Sequence, residues 1–170
     1  MSLEEVFRFV APNVRDAALK TAAQLDSLGI RHALAGGLAV GAHGYIRATV
    51  DVDFLVGEEA FEHHGQLVTF KPGVPIEVDG IRIDYLSSIS LGTQLEAVLD
   101  QPPMSDGVAV IPIEVLIYMK LVARRRKDLL DVVELVKAGA DIKGVQNYLA
   151  QFSPDLLPLF GELVDEALTE

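Results

Sequence analysis

Two aspartates, Asp51 and Asp53, lie one residue apart at the start of an apolar run that ends at Gly57. The pattern of residues 51–56 predicts a β-strand, in which side chains two positions apart point to the same face. The two carboxylates would therefore lie side by side, and like charges at that separation require a cation between them. Carboxylate oxygens are hard ligands, so this spacing favours the binding of Mg²⁺ or Mn²⁺.

A pair of glycines, Gly36 and Gly37, follows the short apolar run at residues 30–35, which predicts a strand. Glycine at such a turn lets the backbone come close to a ligand. The helix predicted at residues 38–45 begins there, so its first N–H groups would face a bound phosphate. Neither GxxxxGK[ST] nor GxGxxG is present, which excludes a Walker loop and a dinucleotide fingerprint. The turn and the aspartates together predict a convergent phosphate and metal site; the alternative is a plain strand–helix–strand turn with two solvated aspartates.

A motif in a fixed order links these features, and its residues are Gly36, Gly37, Arg47, Thr49, Asp51 and Asp53. This order resembles the nucleotidyltransferases of the DNA polymerase β superfamily, and within it the small bacterial group that includes the AbiEii-type toxins. The resemblance extends over about the first two thirds of the chain. Many members have Gly-Ser where this chain has Gly-Gly, so backbone N–H groups would have to bind the phosphate without a serine hydroxyl.

The resemblance implies a metal-dependent nucleotidyltransferase that moves a nucleoside monophosphate from an NTP to an acceptor hydroxyl and releases pyrophosphate. It further implies a cytoplasmic protein with a role as the toxin of a toxin–antitoxin pair. The acceptor stays open between a small molecule, a tRNA end and a protein hydroxyl. Two other functions also stay open: a degenerate binding module that has lost the chemistry, and a metal-dependent phosphohydrolase with the same carboxylates.

A third carboxylate, Asp84, lies in the second strand of a predicted hairpin. Residues 76–78 and 81–86 flank the dipeptide Asp79-Gly80, which is typical of a two-residue hairpin turn. Asp84 and Arg82 share one face of the strand, and apolar residues occupy the other. In the superfamily a third carboxylate comes from a strand beside the paired aspartates, and neighbouring strands lie about 4.8 Å apart. The resemblance thus implies that Asp84 is a metal ligand that also helps to deprotonate the attacking hydroxyl; the alternative is a solvent-facing aspartate.

A helix is predicted to begin at Pro112, with Lys120 on its apolar stripe. Continuation of the same helical face leads to Arg124, Lys127, Asp128 and Asp131. This run is similar to the lysine-to-aspartate helix motif of the AbiEii-like group. The similarity implies that Lys120 neutralises the triphosphate. As alternatives, Lys120 extends to the edge of the stripe, and the charged run is simply solvated.

Three more residues complete the predicted nucleotide site. Arg47, Thr49 and Arg124 are assigned to secondary phosphate contacts, since an arginine fork suits phosphate. The alternative for Arg47 is a salt bridge to a neighbouring carboxylate.

Length and composition limit the number of domains. The chain has 170 residues, half of them hydrophobic, which suggests one domain or a domain with a small appendage. The resemblance implies an α+β fold with a nucleotidyltransferase-like mixed β-sheet flanked by helices. The catalytic core would comprise residues 1–111, and residues 112–170 would form C-terminal helices packed on it. The apolar stripe near residues 156–168 either completes this helical part or forms a homodimer surface, and an antitoxin is the other partner expected.

Charge and cysteine content exclude several classes of protein. The net charge of −11 argues against a broad nucleic-acid-binding surface. The absence of cysteine excludes disulfides, thiol nucleophiles and zinc–thiolate sites. We expect no membrane association, because no apolar run approaches the length of a membrane span, and no signal peptide is visible.

Overall fold

The computed structural model describes residues 2–170, and these residues form nine α-helices and eight β-strands. The helices, in chain order, are α1 (Leu3–Phe7), α2 (Pro12–Ser27), α3 (Gly36–Ala42), α4 (Ser88–Leu91), α5 (Leu95–Asp100), α6 (Ile113–Ala123), α7 (Arg126–Lys137), α8 (Ile142–Phe152) and α9 (Leu157–Thr169). The strands are β1 (His32–Ala35), β2 (Val52–Val56), β3 (Phe61–His64), β4 (Leu67–Phe70), β5 (Glu77–Val78), β6 (Ile81–Ser87), β7 (Met104–Ser105) and β8 (Val108–Ala109). No helix of the described residues is both long and apolar enough to cross a bilayer.

A four-stranded mixed sheet organises the fold, with the strand order β1-β2-β6-β5. The β1–β2 and β5–β6 pairs are antiparallel, and the β2–β6 pair is parallel. The predicted hairpin is confirmed: Asp79 and Gly80 both have positive φ, 51° and 80°, as a type I′ turn requires. The predicted class, an α+β fold with a mixed sheet flanked by helices, is therefore confirmed.

One hydrophobic core runs from the sheet to the C-terminal helices. Buried side chains come from both sides of the predicted boundary at residues 111 and 112, for example Phe54 in β2 and Leu116 in α6. Helix α9 packs along α7 and buries Phe160 and Val164 of its apolar stripe, whereas Leu168 at the end of the stripe is exposed. The assignment of residues 1–111 and 112–170 to separate parts stays a prediction.

The structure corrects several local predictions. The apolar spacing of residues 2 to about 11 predicts a short helix, and Asn13 is a candidate cap for the next one. In the structure α1 ends at Phe7, and Asn13 lies inside α2, which starts at Pro12. At the start of its strand, His32 is expected from the sequence to be half-exposed. It is instead 8% exposed and packs edge-on against the Phe54 ring, 5.5 Å away. The acidic residues 58–65 predict a short helix or a loop. Glu58–Ala60 do form a short 3-10 helix, but the following residues form β3, because their pairing with β4 satisfies the backbone groups.

The charged run after Lys120 does not continue one helical face. Helix α6 ends at Ala123, Arg124 adopts the left-handed conformation with φ 59°, and α7 begins at Arg126. The N–H of Arg124 donates to the carbonyl of Lys120 (2.9 Å), and the N–H of Arg125 donates to the Asp128 carboxylate (3.2 Å). These bonds cap the end of α6 and the start of α7. Because the helix breaks at Arg124, the prediction that Arg124 shares the face of Lys120 is wrong.

Candidate active site

Two of the three predicted carboxylates lie directly beside each other on the sheet. Asp53 of β2 and Asp84 of β6 are paired in the parallel register, and the two strands pair without interruption from Val52 to Val56. Side chains at one register position of adjacent strands point to the same face, about 4.8 Å apart along the hydrogen-bonding direction. Asp51 comes just before β2 at a bend, so the strand starts one residue later than predicted.

The charge on Asp53 is not fully compensated. Burial raises the pKa of its carboxyl, the negative charges of Asp84 and Asp51 raise that pKa further, and Lys120 and Arg125 partly oppose the change. The physical cause is the one expected for clustered carboxylates that lack a neutralising cation. A cation that entered beside Asp53 would therefore stabilise the charged form.

The glycine pair makes room for side chains of the site. Gly36 follows Ala35, which pairs with Asp53, and it has a φ of 58°. A Cβ on Gly36 would overlap the Oδ2 atom of Asp53, and one on Gly37 would lie 2.6 Å from Oγ1 of Thr49. The close approach that the sequence assigned to a phosphate is thus, in this structure, an approach to Asp53 and Thr49. Phosphate binding by these glycines stays a prediction.

Lys120 lies at the base of the site and is only 8% exposed. Its Nζ atom is 2.9 Å from Oδ2 of Asp131 and 3.2 Å from Oδ1 of Asp128. Each of these two carboxylates is 1% exposed. Lys120 therefore does not extend to the edge of its apolar stripe, because two buried negative charges hold it inside.

Two arginines complete this buried network. Arg47 donates from Nε and Nη2 to both oxygens of Asp131, at 2.8 and 2.9 Å, which is the salt bridge that was the alternative to a phosphate contact. Arg125 donates from Nε to Oδ2 of Asp128 at 2.7 Å. Although burial alone would raise the pKa of Asp128, the hydrogen bond from Arg125 and the charge of Lys120 hold it below its ordinary value. Asp128 is therefore a charged anchor between two cations.

These groups surround a cavity of about 320 Å³. That volume lies at the lower end of the range for small-molecule sites, roughly 300–1,000 Å³. Every predicted site residue except Arg124 lines the cavity, namely Gly36, Gly37, Arg47, Thr49, Asp51, Asp53, Asp84 and Lys120. The structure thus brings together residues from β1–α3, β2, β6 and α6 that are far apart in the sequence.

Several residues of the cavity wall have no assigned role in the sequence prediction. The polar ones are Arg82 and Arg125, together with Lys127 and Asp128 of the charged run, and the apolar ones include Leu86, Leu91, Leu116, Met119 and Val122. Strand alternation did put Arg82 on the face of Asp84, and its Nε atom donates to Oδ1 of Asp84 at 2.7 Å. No local pattern distinguishes Arg125 from its neighbours, because its position depends on the break between α6 and α7.

The donor atoms fit a hard divalent cation. Within residues 2–170 no three or more His, Cys, Asp or Glu side chains are gathered as a ready metal site. Asp51, Asp53 and Asp84 nevertheless line one cavity, supply only oxygen ligands, and include a carboxyl whose pKa is raised by the other two. Oxygen ligands of this kind suit Mg²⁺ or Mn²⁺. The hydrogen bond from Arg82 currently occupies one oxygen of Asp84.

No protein-family model matches the sequence, and the curated proteins include no match. Among solved structures, the chain is similar to one described as an antigenic nucleotidyltransferase-like protein from Paracoccidioides brasiliensis, with a TM-score of 0.47 and 18% sequence identity. The alignment covers 89% of this chain and 93% of that chain. A likeness this distant establishes neither an activity nor membership of the AbiEii-type group, so the function has to be argued from the site itself.

Proposed function

We propose that this protein is a metal-dependent nucleotidyltransferase, which moves a nucleoside monophosphate from an NTP to an acceptor hydroxyl. The observation that supports this most is the Asp53–Asp84 pair, which shares a cavity with Asp51 and faces buried and exposed cations. A cavity lined by both carboxylates and cations suits a substrate that carries phosphates and binds with metal ions.

Asp51, Asp53 and Asp84 would hold Mg²⁺ or Mn²⁺. A bound divalent ion supplies neutralisation of the triphosphate and of the charge that develops on the leaving oxygen. In the transfer, an oxygen of the acceptor hydroxyl bonds to the α-phosphorus while the bond to the bridging oxygen breaks and pyrophosphate leaves. Asp84, whose side chain is 32% exposed, would accept the proton of the hydroxyl after its hydrogen bond with Arg82 has broken.

The remaining residues would bind and orient the phosphates. Thr49 and the glycine pair line the same cavity as the carboxylates, and Lys120 keeps a positive charge at its base. The finer assignments belong to the same proposal: membership of the AbiEii-type group, a role as the toxin of a toxin–antitoxin pair, and a cytoplasmic location. The acceptor class stays open between a small molecule, a tRNA end and a protein hydroxyl.

The first experiment tests for metal binding through its effect on Tm. Binding at 100 times Kd stabilises a folded protein by about 2.7 kcal/mol, which corresponds to about 5–10 °C in Tm for a chain of this size. We expect Mg²⁺ or Mn²⁺ to raise the Tm of the wild type relative to EDTA and to have little effect on Asp53→Asn. The matched control is Asp165→Asn, which removes one exposed carboxylate of α9 and should respond like the wild type. Equal curves for all three proteins with and without metal would contradict a metal site here.

The second experiment tests the reaction by following ³²P from the nucleotide into the products. Each NTP is supplied in turn, with ³²P at the α or the γ position, together with Mg²⁺ and cell extract as the source of acceptor. A nucleotidyltransferase transfers the α-label and releases the γ-label as pyrophosphate, whereas a phosphohydrolase releases orthophosphate. Asp84→Asn should reduce transfer by about 10²-fold or more and keep its Tm within a few degrees. Metal-dependent stabilisation without any transfer or hydrolysis would favour the binding module.

A further inference from the structure

We propose that Arg125 is the side chain that binds the phosphates of the substrate, and that Lys120 is a positioning residue that holds the anchor of Arg125 in place. This inference rests on the proposed function in one respect: the phosphates are taken to enter the cavity beside Asp53. It differs from the assignment that sequence similarity suggested, in which Lys120 and Arg124 contact the triphosphate.

Lys120 has little capacity left for a ligand. An ammonium group has three N–H donors, and its Nζ atom already lies within 3.2 Å of both Asp128 and Asp131. Its side chain is 9% exposed. Because the ammonium of Lys120 is buried and already ion-paired with Asp128 and Asp131, an incoming anion gains less from it than from an exposed cation.

Arg125 has the opposite properties. Its side chain is 75% exposed and lines the cavity. Nε and Nη2 donate to the two oxygens of Asp128, at 2.7 and 3.3 Å, so one edge of the guanidinium is fixed to a buried anchor. A guanidinium has five N–H donors, and Nη1 makes no hydrogen bond within residues 2–170. The outer edge is therefore available to a ligand and already oriented.

The position of Arg125 relative to the carboxylates supports the same conclusion. Arg125 lines the same cavity as Asp51, Asp53 and Asp84. The hydrogen bond with Asp128 raises the pKa of the Arg125 guanidinium most, and the charge of Asp53 raises it further. A group bound between Arg125 and Asp53 would meet a fixed cation on one side and the predicted metal ligands on the other.

The backbone explains why Arg125 and not Arg124 faces this space. Arg124 is left-handed, with φ 59°, and Arg125 is extended, with φ −73° and ψ 157°. In an uninterrupted helix Arg124 would lie one turn after Lys120 and share its face. The break turns Arg124 out of the cavity wall, and Arg125 takes its place.

The chemistry that such a group recognises is a di- or triphosphate. The planar fork of arginine offers parallel N–H groups that match two phosphate oxygens, and it stays charged at all relevant pH values. Both a nucleotide and free inorganic triphosphate carry this group, so the test uses both ligands. The metal-independent part of the affinity is read with inorganic triphosphate in EDTA.

The test compares two adjacent arginines that carry the same charge. Isothermal titration gives the Kd of inorganic triphosphate and of each Mg²⁺–NTP for the wild type, Arg125→Gln and Arg124→Gln. We expect Arg125→Gln to weaken both kinds of ligand about tenfold or more, as for the loss of a charge-assisted hydrogen bond, and Arg124→Gln to change Kd by less than about threefold. Weakening of the nucleotides alone, with unchanged binding of inorganic triphosphate, would count against a phosphate contact by Arg125.

A second pair of variants tests the same contact if the loss of the ion pair with Asp128 prevents folding. If Arg125→Gln does not fold, Arg125→Lys keeps the charge beside Asp128 and removes the fork, and Arg124→Lys is its control. Only Arg125→Lys should then weaken triphosphate binding. Equal Kd values for the two positions, or a wild type that binds inorganic triphosphate no better than the Arg125 variants, would overturn the proposal. Failure of the proposed function is separate: Arg125-dependent binding without transfer of the α-label would leave the phosphate site intact and remove the reaction.

Discussion

Replacement of Gly36 by alanine tests the contact on which the geometry of the site depends. Gly36 has a φ of 58°, and a Cβ there would overlap Oδ2 of Asp53. The left-handed conformation costs an alanine about 1–2 kcal/mol. Displacement of the Asp53 side chain from its rotamer adds about 0.5–1.5 kcal/mol, and the lower entropy of the unfolded chain returns about 0.4–1 kcal/mol. We therefore expect Gly36→Ala to lower the free energy of unfolding by about 2 kcal/mol.

A second glycine supplies the control for the backbone effect. Gly29 has a φ of 70°, and a Cβ there would have no atom within 4 Å. Gly29→Ala thus includes the conformational cost but no overlap, and it should lose about 1 kcal/mol or less. The difference between the two variants isolates the contact with Asp53.

Urea unfolding followed by circular dichroism, in EDTA at pH 7, measures the free energy of unfolding of both variants, and thermal unfolding measures their Tm. At about 2–4 °C per kcal/mol for a chain of this length, Gly36→Ala should melt roughly 4–8 °C below the wild type. Because Asp53 is displaced, the gain in Tm from Mg²⁺ should also be smaller in Gly36→Ala and unchanged in Gly29→Ala. Equal losses of stability in the two variants, with equal responses to Mg²⁺, would refute the contact between Gly36 and Asp53.

Two further predictions concern buried and partly buried charges. Lys120→Met leaves Asp128 and Asp131 with one cation fewer, so urea unfolding at pH 7 should show a loss of about 3 kcal/mol, and a loss below about 0.5 kcal/mol would contradict the network. Arg31 holds the pKa of Glu59 at about 2, against an ordinary value of 4.5. The stabilisation is complete above pH 4.5 and is lost as the pH falls through 2. Glu59→Gln should therefore be less stable than the wild type by about 1–2 kcal/mol at pH 7. The difference should close between pH 4.5 and 2, and a difference that persists at pH 2 would argue against this titration.

Much of the candidate site follows from local periodicity in the sequence. Alternation along a strand assigned Asp84 and Arg82 to one face of β6, and the Asp79-Gly80 dipeptide located the hairpin that contains them. These predictions hold because a period of two is a property of any extended backbone, whatever surrounds it. The convergence of Asp51, Asp53 and Asp84 on one cavity was predictable once a motif had suggested that β2 and β6 are neighbours.

Local periodicity could not predict which cationic side chains are buried in ion pairs and which line the cavity. Extension of a helical face beyond Lys120 assumes helical φ and ψ at every residue, and Arg124 breaks that assumption at a cost of about 1–2 kcal/mol. The ion pairs of Lys120 and Arg125 with buried Asp128 join the two helices across the break. These contacts form only when α6 and α7 pack together, so they lie outside any local pattern.

The sequence by itself determined the hairpin and the face of β6 that Asp84 shares with Arg82, because both depend on residue types at short, regular spacings. The mixed α+β class followed from the resemblance that the motif carries. Only the tertiary structure decided which charges are free. It pairs Arg47 with Asp131, holds Lys120 between two buried carboxylates, and leaves the outer edge of Arg125 open to the cavity. The physical reason is that the energy of a charge depends on its burial and its partners, and both are set by segments that meet only in the folded chain.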